Sequence, residues 1–274
     1  MTSKASDRKR LDLILFERGL ADSRAKAQAL ILAGRVRSEG RLLDKPGVRY
    51  PADLQLEVAE GRRYVSRGGH KLAAALREFD VEVEGREALD VGASTGGFTQ
   101  VLLEAGASRV IALDVGHGQL DWSLRNDPRV QVMEGCNARY LQPSQLPCAP
   151  ALAVIDVAFI SLELIFPAVV PCLADDADVI ALIKPQFEVG RNQVGRGGIV
   201  RDLSLHRQVL DKITVCISDS GWGIQALCAS PLLGADGNRE FLVHFKPHSP
   251  GMEGAALAAS VLRALELAIE ENGT

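Results

Sequence analysis

The sequence lacks the features of membrane, secreted and metal-binding proteins. No apolar run approaches the roughly 18 residues that a membrane-spanning helix needs, and residues 1–12 are too polar for a secretion signal. The five cysteines are scattered without CxxC spacing, which favours reduced thiols over disulfides or a zinc cluster. We therefore expect a cytoplasmic protein with no membrane contact, no bound metal and no obligate protein partner.

Aromatic residues are also few, at 5% of the chain, and the net charge of −4 is small. That net charge hides a division, because residues 1–71 hold 16 Lys and Arg against nine Asp and Glu, whereas residues 72–274 hold 15 against 26. A basic head on an acidic body indicates that the head binds a polyanion. With so few aromatic side chains nearby, we expect phosphate contacts and shape recognition rather than base stacking. The candidate phosphate-binding residues are Arg8, Lys9, Arg10, Arg24, Lys26, Arg35, Arg37, Arg63 and Arg67.

The periodicity of the chain predicts two domains. Residues 1–60 contain two helix patterns, near 10–18 and 23–33, and short strands, which predicts a small α+β domain. Residues 61–70 are a charged linker. Residues 71–274 form the second domain, in which strands and helices alternate from residue 86 onward, as in a doubly wound parallel α/β sheet. The seven strand candidates are 88–92, 110–115, 130–133, 152–157, 179–184, 224–229 and 240–245, and the helix candidates lie near 97–106, 118–125, 160–173, 203–219 and 254–271.

A glycine-rich turn follows the first strand of this domain, in the sequence Asp90-Val91-Gly92-Ala93-Ser94-Thr95-Gly96-Gly97-Phe98. Such a turn lets the backbone approach a ligand at the sheet edge where these folds bind cofactors. Its spacing does not match the GxGxxG dinucleotide pattern. An acidic residue ends the second strand, where it could accept the ribose hydroxyls of a nucleoside, so S-adenosylmethionine fits better than NAD. The candidate cofactor-binding residues are Asp90, Gly92, Ser94, Gly96, Gly97, Phe98, Asp114 and Asn137.

Two charged residues close apolar strands, Asp156 after the fourth and Lys184 after the fifth. A charge at the end of a buried strand is costly unless it is paired or functional. In a doubly wound fold both strand ends open onto one crevice, so we expect the two side chains to converge there. A structural salt bridge at the rim of the sheet is the alternative interpretation.

With these motifs in view, the chain resembles the TlyA family, also labelled hemolysin A, of ribosomal RNA 2′-O-methyltransferases. Its head resembles the S4 RNA-binding domain, and its body resembles FtsJ-type methyltransferases with a Rossmann-like, seven-stranded sheet. The matching segments are Arg10-Leu11-Asp12, Ser23-Arg24, Val65–Leu72, Lys184–Glu188 and Gly197–Asp202. The resemblance implies S-adenosylmethionine as cofactor, ribosomal RNA or a ribosomal subunit as partner, a cytidine as target, and a catalytic tetrad of Lys71, Asp156, Lys184 and Glu240.

The tetrad has a chemical logic. A ribose 2′-hydroxyl is a poor nucleophile and must be aligned and relieved of its proton. Lysine is a weak base at its usual pKa of about 10.4, but burial and a neighbouring cation favour the neutral amine. Lys184 is then the candidate base, Lys71 the neighbouring cation, and Asp156 and Glu240 the carboxylates that hold them. The alternatives are a catalytically silent RNA-binding or ribosome-assembly factor, a membrane-lytic hemolysin and, more distantly, a NAD-dependent oxidoreductase.

Overall fold

The computed structural model describes residues 8–59, 63–234 and 236–270 of the 274-residue chain. The chain divides into two compact units, one within residues 1–63 and the other within 64–274. The second unit therefore takes up most of the stretch predicted as a linker over 61–70, of which residues 61 and 62 lie outside the described part. Within that stretch a helix already begins at Gly68.

Within its described residues, 8–59 and 63, the smaller unit contains two helices and five short strands. Its core packs the apolar faces of both helices against one strand, through the buried residues Leu11, Leu15, Ala27, Ile31 and Val36. The second helix begins where the sequence predicts, because the Ser23 hydroxyl accepts a hydrogen bond from the Lys26 backbone N–H at 3.2 Å. The first and fourth strands pair antiparallel, and the second strand pairs antiparallel with the third and the fifth. The elements are β1 (Arg8–Arg10), α1 (Leu11–Glu17), α2 (Arg24–Leu32), β2 (Val36–Ser38), β3 (Arg41–Leu42), β4 (Arg49–Pro51) and β5 (Glu57–Val58).

The larger unit is built on a seven-stranded sheet, as the sequence predicts. Its strands are β6 (Glu87–Val91), β7 (Arg109–Leu113), β8 (Val130–Met133), β9 (Leu152–Ile155), β10 (Asp178–Ile183), β11 (Gly223–Ala229) and β12 (Phe241–Lys246). They are ordered β11-β12-β10-β9-β6-β7-β8. Among the described strands of this sheet, β12 alone runs opposite to the other six, since it pairs antiparallel with both β10 and β11. Apart from the direction of β12, this is the doubly wound, Rossmann-like arrangement that the sequence predicts.

Helices cover both faces of the sheet. The first of them, at residues 68–78, was not predicted, and the helix expected over 160–173 is broken into short turns because Pro167 and Pro171 each lack a backbone N–H. The helices are α3 (Gly68–Glu78), α4 (Gly97–Glu104), α5 (Trp122–Arg125), α6 (Phe166–Val169), α7 (Pro185–Glu188), α8 (Leu203–Asp219) and α9 (Gly254–Glu270). Among the described residues, no helix has both the length and the apolar character to cross a membrane.

The sheet separates two hydrophobic clusters, one on each face. Side chains alternate along each strand, so neighbours such as Leu89 and Ala88, or Ala181 and Ile180, belong to opposite clusters. Because both faces are covered, the middle strands are completely buried. The carboxyl ends of the parallel strands open at one edge of the sheet, and the polar side chains that follow them meet there.

Candidate active site

The turn from β6 to α4 approaches the neighbouring strand closely. Gly92 has φ +87°, and a Cβ there would meet the carbonyl oxygen of Asp156. Gly96 has φ +96° and occupies the position before α4, where a side chain would meet Leu124. A Cβ on Gly97 would likewise meet the side chain of Ser66. The glycines therefore let the turn pack tightly against β9 and its surroundings.

Asp90 lies beneath this turn. Its carboxyl group has no solvent exposure, and Oδ2 accepts a hydrogen bond from the Thr99 hydroxyl at 2.6 Å. Oδ1 has no hydrogen-bond partner among the described residues. Burial raises the pKa of Asp90 to about 7, against the opposing hydrogen bond from Thr99. Asp90 and Gly96 are the two predicted cofactor residues that line neither of the cavities described next.

A first cavity, of about 480 Å³, opens at the ends of β6, β7 and β8, and we refer to it as the Asp114 cavity. The carboxylate of Asp114 accepts hydrogen bonds from the backbone N–H groups of Ser94 at 2.8 Å and Gly116 at 2.7 Å. Asn137 also lines the cavity, and its side-chain oxygen accepts from the Arg139 backbone N–H at 3.0 Å. The remaining walls are mainly apolar, from Leu113, Val115, Val157, Ala158, Ile160 and Ile165.

A second cavity, of about 410 Å³, contains all four predicted tetrad residues, and we refer to it as the Lys184 cavity. Asp156 and Lys184 directly follow β9 and β10, Lys71 lies on α3, and Glu240 immediately precedes β12. Four side chains from four separate parts of the sequence are thus brought into one pocket.

The four side chains form two lysine–carboxylate ion pairs. Lys184 Nζ lies 2.5 Å from Asp156 Oδ1, and Lys71 Nζ pairs with Glu240 Oε2. The second pair is the more deeply buried, with side chains 9% and 3% exposed. Burial raises the pKa of Glu240, Lys71 and Lys184 oppose that rise, and Asp156 adds to it. Glu240 therefore interacts electrostatically with the other three residues, so the two pairs form one coupled group.

The two cavities are contiguous, because they share the lining residues Gly92, Ser94, Asp156, Ala158 and Phe159. Asp156 therefore borders both cavities. The predicted residues Gly92 and Ser94 line both cavities, Gly97 and Phe98 line the Lys184 cavity, and Asp114 and Asn137 line the Asp114 cavity.

Several residues of the site were missed by the sequence analysis. Phe159 is the most conspicuous, because its side chain is 90% exposed at the junction of the cavities and its backbone has φ +63°. Its ring lies 5.0 Å from that of Phe187, which in turn lies 5.9 Å from Lys184 Nζ. The only signal was the apolar stretch after Asp156, which predicted a helix instead. The others are Ser66, Gln186, Phe187 and Asp236.

The loop that carries Phe159 is anchored by a buried acid. Glu188 accepts hydrogen bonds from the Ser161 hydroxyl at 2.5 Å and from the Leu162 backbone N–H at 2.8 Å. Lys212 Nζ approaches the same carboxylate at 3.3 Å. Glu188 thereby fixes the segment between Asp156 and α6.

Two of the basic residues predicted to contact phosphate are held by one buried carboxylate. Arg10 donates two hydrogen bonds to the buried carboxylate of Asp12, at 3.0 and 2.9 Å, and Arg24 donates one at 3.3 Å. These arginines are therefore held in place within the smaller unit, although their side chains remain 43% and 52% exposed. Gln28 donates a further bond to Asp12 at 2.7 Å.

The remaining basic residues are placed differently. Arg8, Arg35 and Arg37 donate to backbone carbonyls, Lys9 pairs with Glu17, and Lys26 and Arg63 are exposed. Arg67 belongs to the larger unit, where it lines the Lys184 cavity.

Comparison with protein families decides the assignment. The FtsJ-like methyltransferase model matches residues 64–247, and the S4 domain model matches residues 9–55. The chain belongs to the TlyA family of FtsJ-like methyltransferases. Within this family it is 46% identical to a 16S/23S rRNA (cytidine-2′-O)-methyltransferase TlyA of Mycobacterium tuberculosis, over 94% of this chain and 97% of that protein. It is 47% identical to YqxC of Bacillus subtilis, over 97% of this chain and 95% of YqxC.

A solved structure agrees with the fold. A protein described as a hemolysin from Streptococcus thermophilus superposes with a TM-score of 0.74 at 42% identity, over 98% of this chain and all of that one. The resemblance to the TlyA family, the class of fold and the methyltransferase assignment drawn from the sequence are thereby confirmed.

Proposed function

We propose that this TlyA-family chain transfers a methyl group from S-adenosylmethionine to a ribose 2′-hydroxyl, most simply that of a cytidine, in ribosomal RNA. The observation that carries the proposal is the contiguity of the two cavities. One has the chemistry of a nucleoside site, and the other holds two coupled lysine–carboxylate pairs. The names of the related methyltransferases support the choice of RNA and of the 2′-oxygen.

The Asp114 cavity fits an adenosyl group by its donor set. The carboxylate of Asp114 can accept bonds from ribose hydroxyls, Asn137 can meet the polar edge of a purine, and the apolar walls suit a flat ring. When bound, S-adenosylmethionine supplies an electrophilic methyl group. Its methionine portion would then lie along the glycine-rich turn, near Gly92 and Ser94.

The Lys184 cavity supports the proton transfer. As a 2′-hydroxyl is methylated its proton must leave. Lys184 in its neutral form, having first released its own proton to solvent, is the group that accepts it. The ammonium that results is stabilised by Asp156, whose Oδ1 lies 2.5 Å away. Lys71, held by Glu240, adds a fixed cation that orients the ribose or phosphate oxygens.

Phe159 provides a surface for the target nucleobase. Its exposed ring at the junction of the cavities is unsuited to a packing role and well suited to stacking against a base that has left its helix. The S4 domain would supply affinity for folded RNA through phosphate contacts, with Arg10 and Arg24 held ready by Asp12.

The test is transfer of tritium from labelled S-adenosylmethionine to purified ribosomal subunits and to free ribosomal RNA. Wild type is compared with Lys184→Ala and with Lys246→Ala. Lys246 is a matched control because it also pairs with an aspartate, Asp178 at 3.1 Å, but lies at the opposite edge of the sheet. We expect label in RNA with wild type and Lys246→Ala, and loss by a factor of roughly 100 or more with Lys184→Ala. Absence of label with wild-type protein that binds the cofactor would refute the proposal.

A further inference from the structure

A third cavity, of about 370 Å³, lies beside the catalytic pocket, and we refer to it as the Arg239 cavity. The connection over 230–240 separates the two. Asp236 and Glu240 line the Lys184 cavity, whereas Gly237 and Arg239 line the other. Because these lining residues are adjacent in sequence and adjacent Cα atoms are only about 3.8 Å apart, the two pockets are neighbours at this point.

The wall of the Arg239 cavity carries positive charge. Arg239 is buried, with 5% exposure, and Arg201 is exposed at the rim. A guanidinium stays protonated at every pH at which the protein is folded, so this charge is permanent. The acids that follow the two arginines in sequence, Asp202 and Glu240, are not among the residues that line the cavity. The Asp202 carboxylate accepts from the Ser204 backbone N–H at 2.8 Å, and Glu240 lines the Lys184 cavity.

The third nitrogen-bearing side chain, His206, is part of the framework. Its Nε2 lies 3.0 Å from the carbonyl oxygen of Val200. Burial lowers the pKa of His206, and the nearby charge of Arg239 lowers it further, while the bond to Val200 acts in the opposite sense. A neutral ring with Nε2–H donating to Val200 follows, so the positive charge of the cavity comes from its arginines.

The segment that brings Arg201 to the cavity is fixed from two sides. The Asn238 side chain accepts from the Val200 N–H at 3.0 Å and donates to the Gly198 carbonyl at 2.9 Å, while His206 holds the Val200 carbonyl. Asn238 is itself buried. The same short connection thus supplies Glu240 to one cavity, supplies Arg239 to the next, and holds the backbone that presents Arg201.

The rest of the wall is aliphatic, from Ile199, Val200, Leu203 and Leu233. Guanidinium groups recognise phosphate oxygens through paired hydrogen bonds, and an aliphatic wall accepts the face of a sugar or base. This combination matches one nucleotide unit of a nucleic acid strand.

We propose that the Arg239 cavity binds a phosphodiester of the substrate RNA, through Arg201 and Arg239, next to the nucleotide whose ribose enters the Lys184 cavity. The inference rests on the proposed function, since it assumes an RNA substrate. It adds a contact within the methyltransferase unit itself that fixes how the strand crosses the active site.

The test measures RNA affinity separately from methyl transfer. Full-length wild type, Arg201→Gln, Arg239→Lys and the control Arg263→Gln are titrated with ribosomal RNA over a range of salt concentrations. Arg263 is an exposed arginine of α9 that lines none of the three cavities. Binding of S-adenosylhomocysteine and thermal midpoints are measured for each variant. Arg239→Lys keeps the buried charge and removes only the forked geometry.

We expect Arg201→Gln to weaken RNA binding roughly five- to tenfold and to reduce the slope of log affinity against log salt by about one. Arg239→Lys should weaken binding without that change in slope. The KM for RNA should rise in both, while affinity for S-adenosylhomocysteine and the behaviour of Arg263→Gln stay at wild-type values. A wild-type slope and affinity in Arg201→Gln would overturn the inference, as would a loss of thermal stability that accounts for the weaker binding.

Two further outcomes separate the possible failures. Wild type that binds RNA but does not methylate it would refute the proposed function, while the salt slopes would still decide whether the phosphodiester contact exists. If 10 mM inorganic phosphate at constant ionic strength stabilises wild type but not Arg201→Gln, and RNA affinity is equal in both, the cavity binds a free anion and the inference is wrong.

Discussion

Lys184 Nζ meets Asp156 Oδ1 at 2.5 Å although the two residues do not lie opposite each other in the sheet. Strands β9 and β10 pair in parallel with Ile155 beside Ala181, so Asp156 emerges from the sheet two residues earlier than Lys184. The long lysine side chain spans this offset. The acid is thereby set between the two cavities, which both include it, and the amine is set within the Lys184 cavity only.

Replacing Asp114 should weaken cofactor binding. Asp114→Asn removes the charge that would accept the ribose hydroxyls, and we expect affinity for S-adenosylmethionine, measured by calorimetry, to fall roughly tenfold or more. The control is Asp121→Asn, because Asp121 also accepts a backbone N–H, that of Ser123 at 2.9 Å, but lies outside both cavities. Equal affinities for the two variants would contradict the assignment of the Asp114 cavity.

Removing the ring of Phe159 should impair use of RNA and spare the fold. Stacking on an aromatic side chain contributes about 1–3 kcal/mol per base, so Phe159→Ala should lower kcat/KM for RNA roughly 5- to 150-fold. The thermal midpoint should not fall, because the ring is almost fully exposed. Phe159→Trp should restore most of the rate. Equal loss in the alanine and tryptophan variants would mean that stacking is not its role.

Asp90 should make the stability of the larger unit depend on pH. Its pKa is raised to about 7 in the folded protein, from about 3.9 when unfolded, so the folded state binds the proton more tightly. The contribution of Asp90 to the free energy of unfolding is fully present below the pKa of the unfolded state and is lost as the pH rises through about 7. Asp90→Asn keeps the shape of the side chain without the charge. The free energy of unfolding of this variant, relative to that of wild type, should therefore rise by about 2 kcal/mol between pH 5 and pH 7. A difference in unfolding free energy that stays constant over this range would refute the assignment.

Asp12 should have the opposite dependence in the smaller unit. Hydrogen bonds from Arg10, Gln28 and Arg24 hold its pKa well below the usual range against the opposing effect of burial. The contribution of Asp12 to the free energy of unfolding is therefore present above about pH 4 and is lost as the pH falls below that value. At pH 7, Asp12→Asn should lower the free energy of unfolding of the smaller unit by about 2 kcal/mol. Backbone hydrogen exchange in α1 and α2 should then be roughly 30-fold faster than in wild type. Asp44→Asn, at an exposed loop position, is the control, and equal exchange in both variants would exclude the effect.

Much of the fold could be predicted because buried strands and helices have a clear pattern of apolar residues in the sequence. Residues 152–155 and 179–183 are continuous apolar runs of strand length, which is the pattern of strands buried on both faces of a sheet. Helix α3 was missed because it begins with Gly68-Gly69-His70-Lys71, which reads as a charged turn. The antiparallel direction of β12 was also not predicted, since periodicity carries no information about direction.

The candidate site was less predictable where it depends on side-chain surroundings. Motif position placed Lys71 and Glu240 in the tetrad, but their pairing depends on α3 and β12 meeting across a sequence separation of 169 residues. Likewise Arg10 and Arg24 looked like free phosphate ligands until the burial of Asp12 gave them a partner. Asp90 stays a predicted cofactor residue, and only the fold shows that its side chain is completely buried.

The central claim is that the Lys184 pocket methylates a ribose 2′-oxygen with Lys184 as the proton acceptor. The most direct measurement is nucleoside mass spectrometry of unmodified ribosomal RNA after reaction with wild type, Lys184→Ala or Lys184→Arg. Arginine places a permanent cation beside Asp156 and has no accessible neutral form that could accept a proton. The account predicts a 2′-O-methylribonucleoside with wild type alone. A methyl group on a base, or a Lys184→Arg variant within tenfold of the wild-type rate, would contradict it.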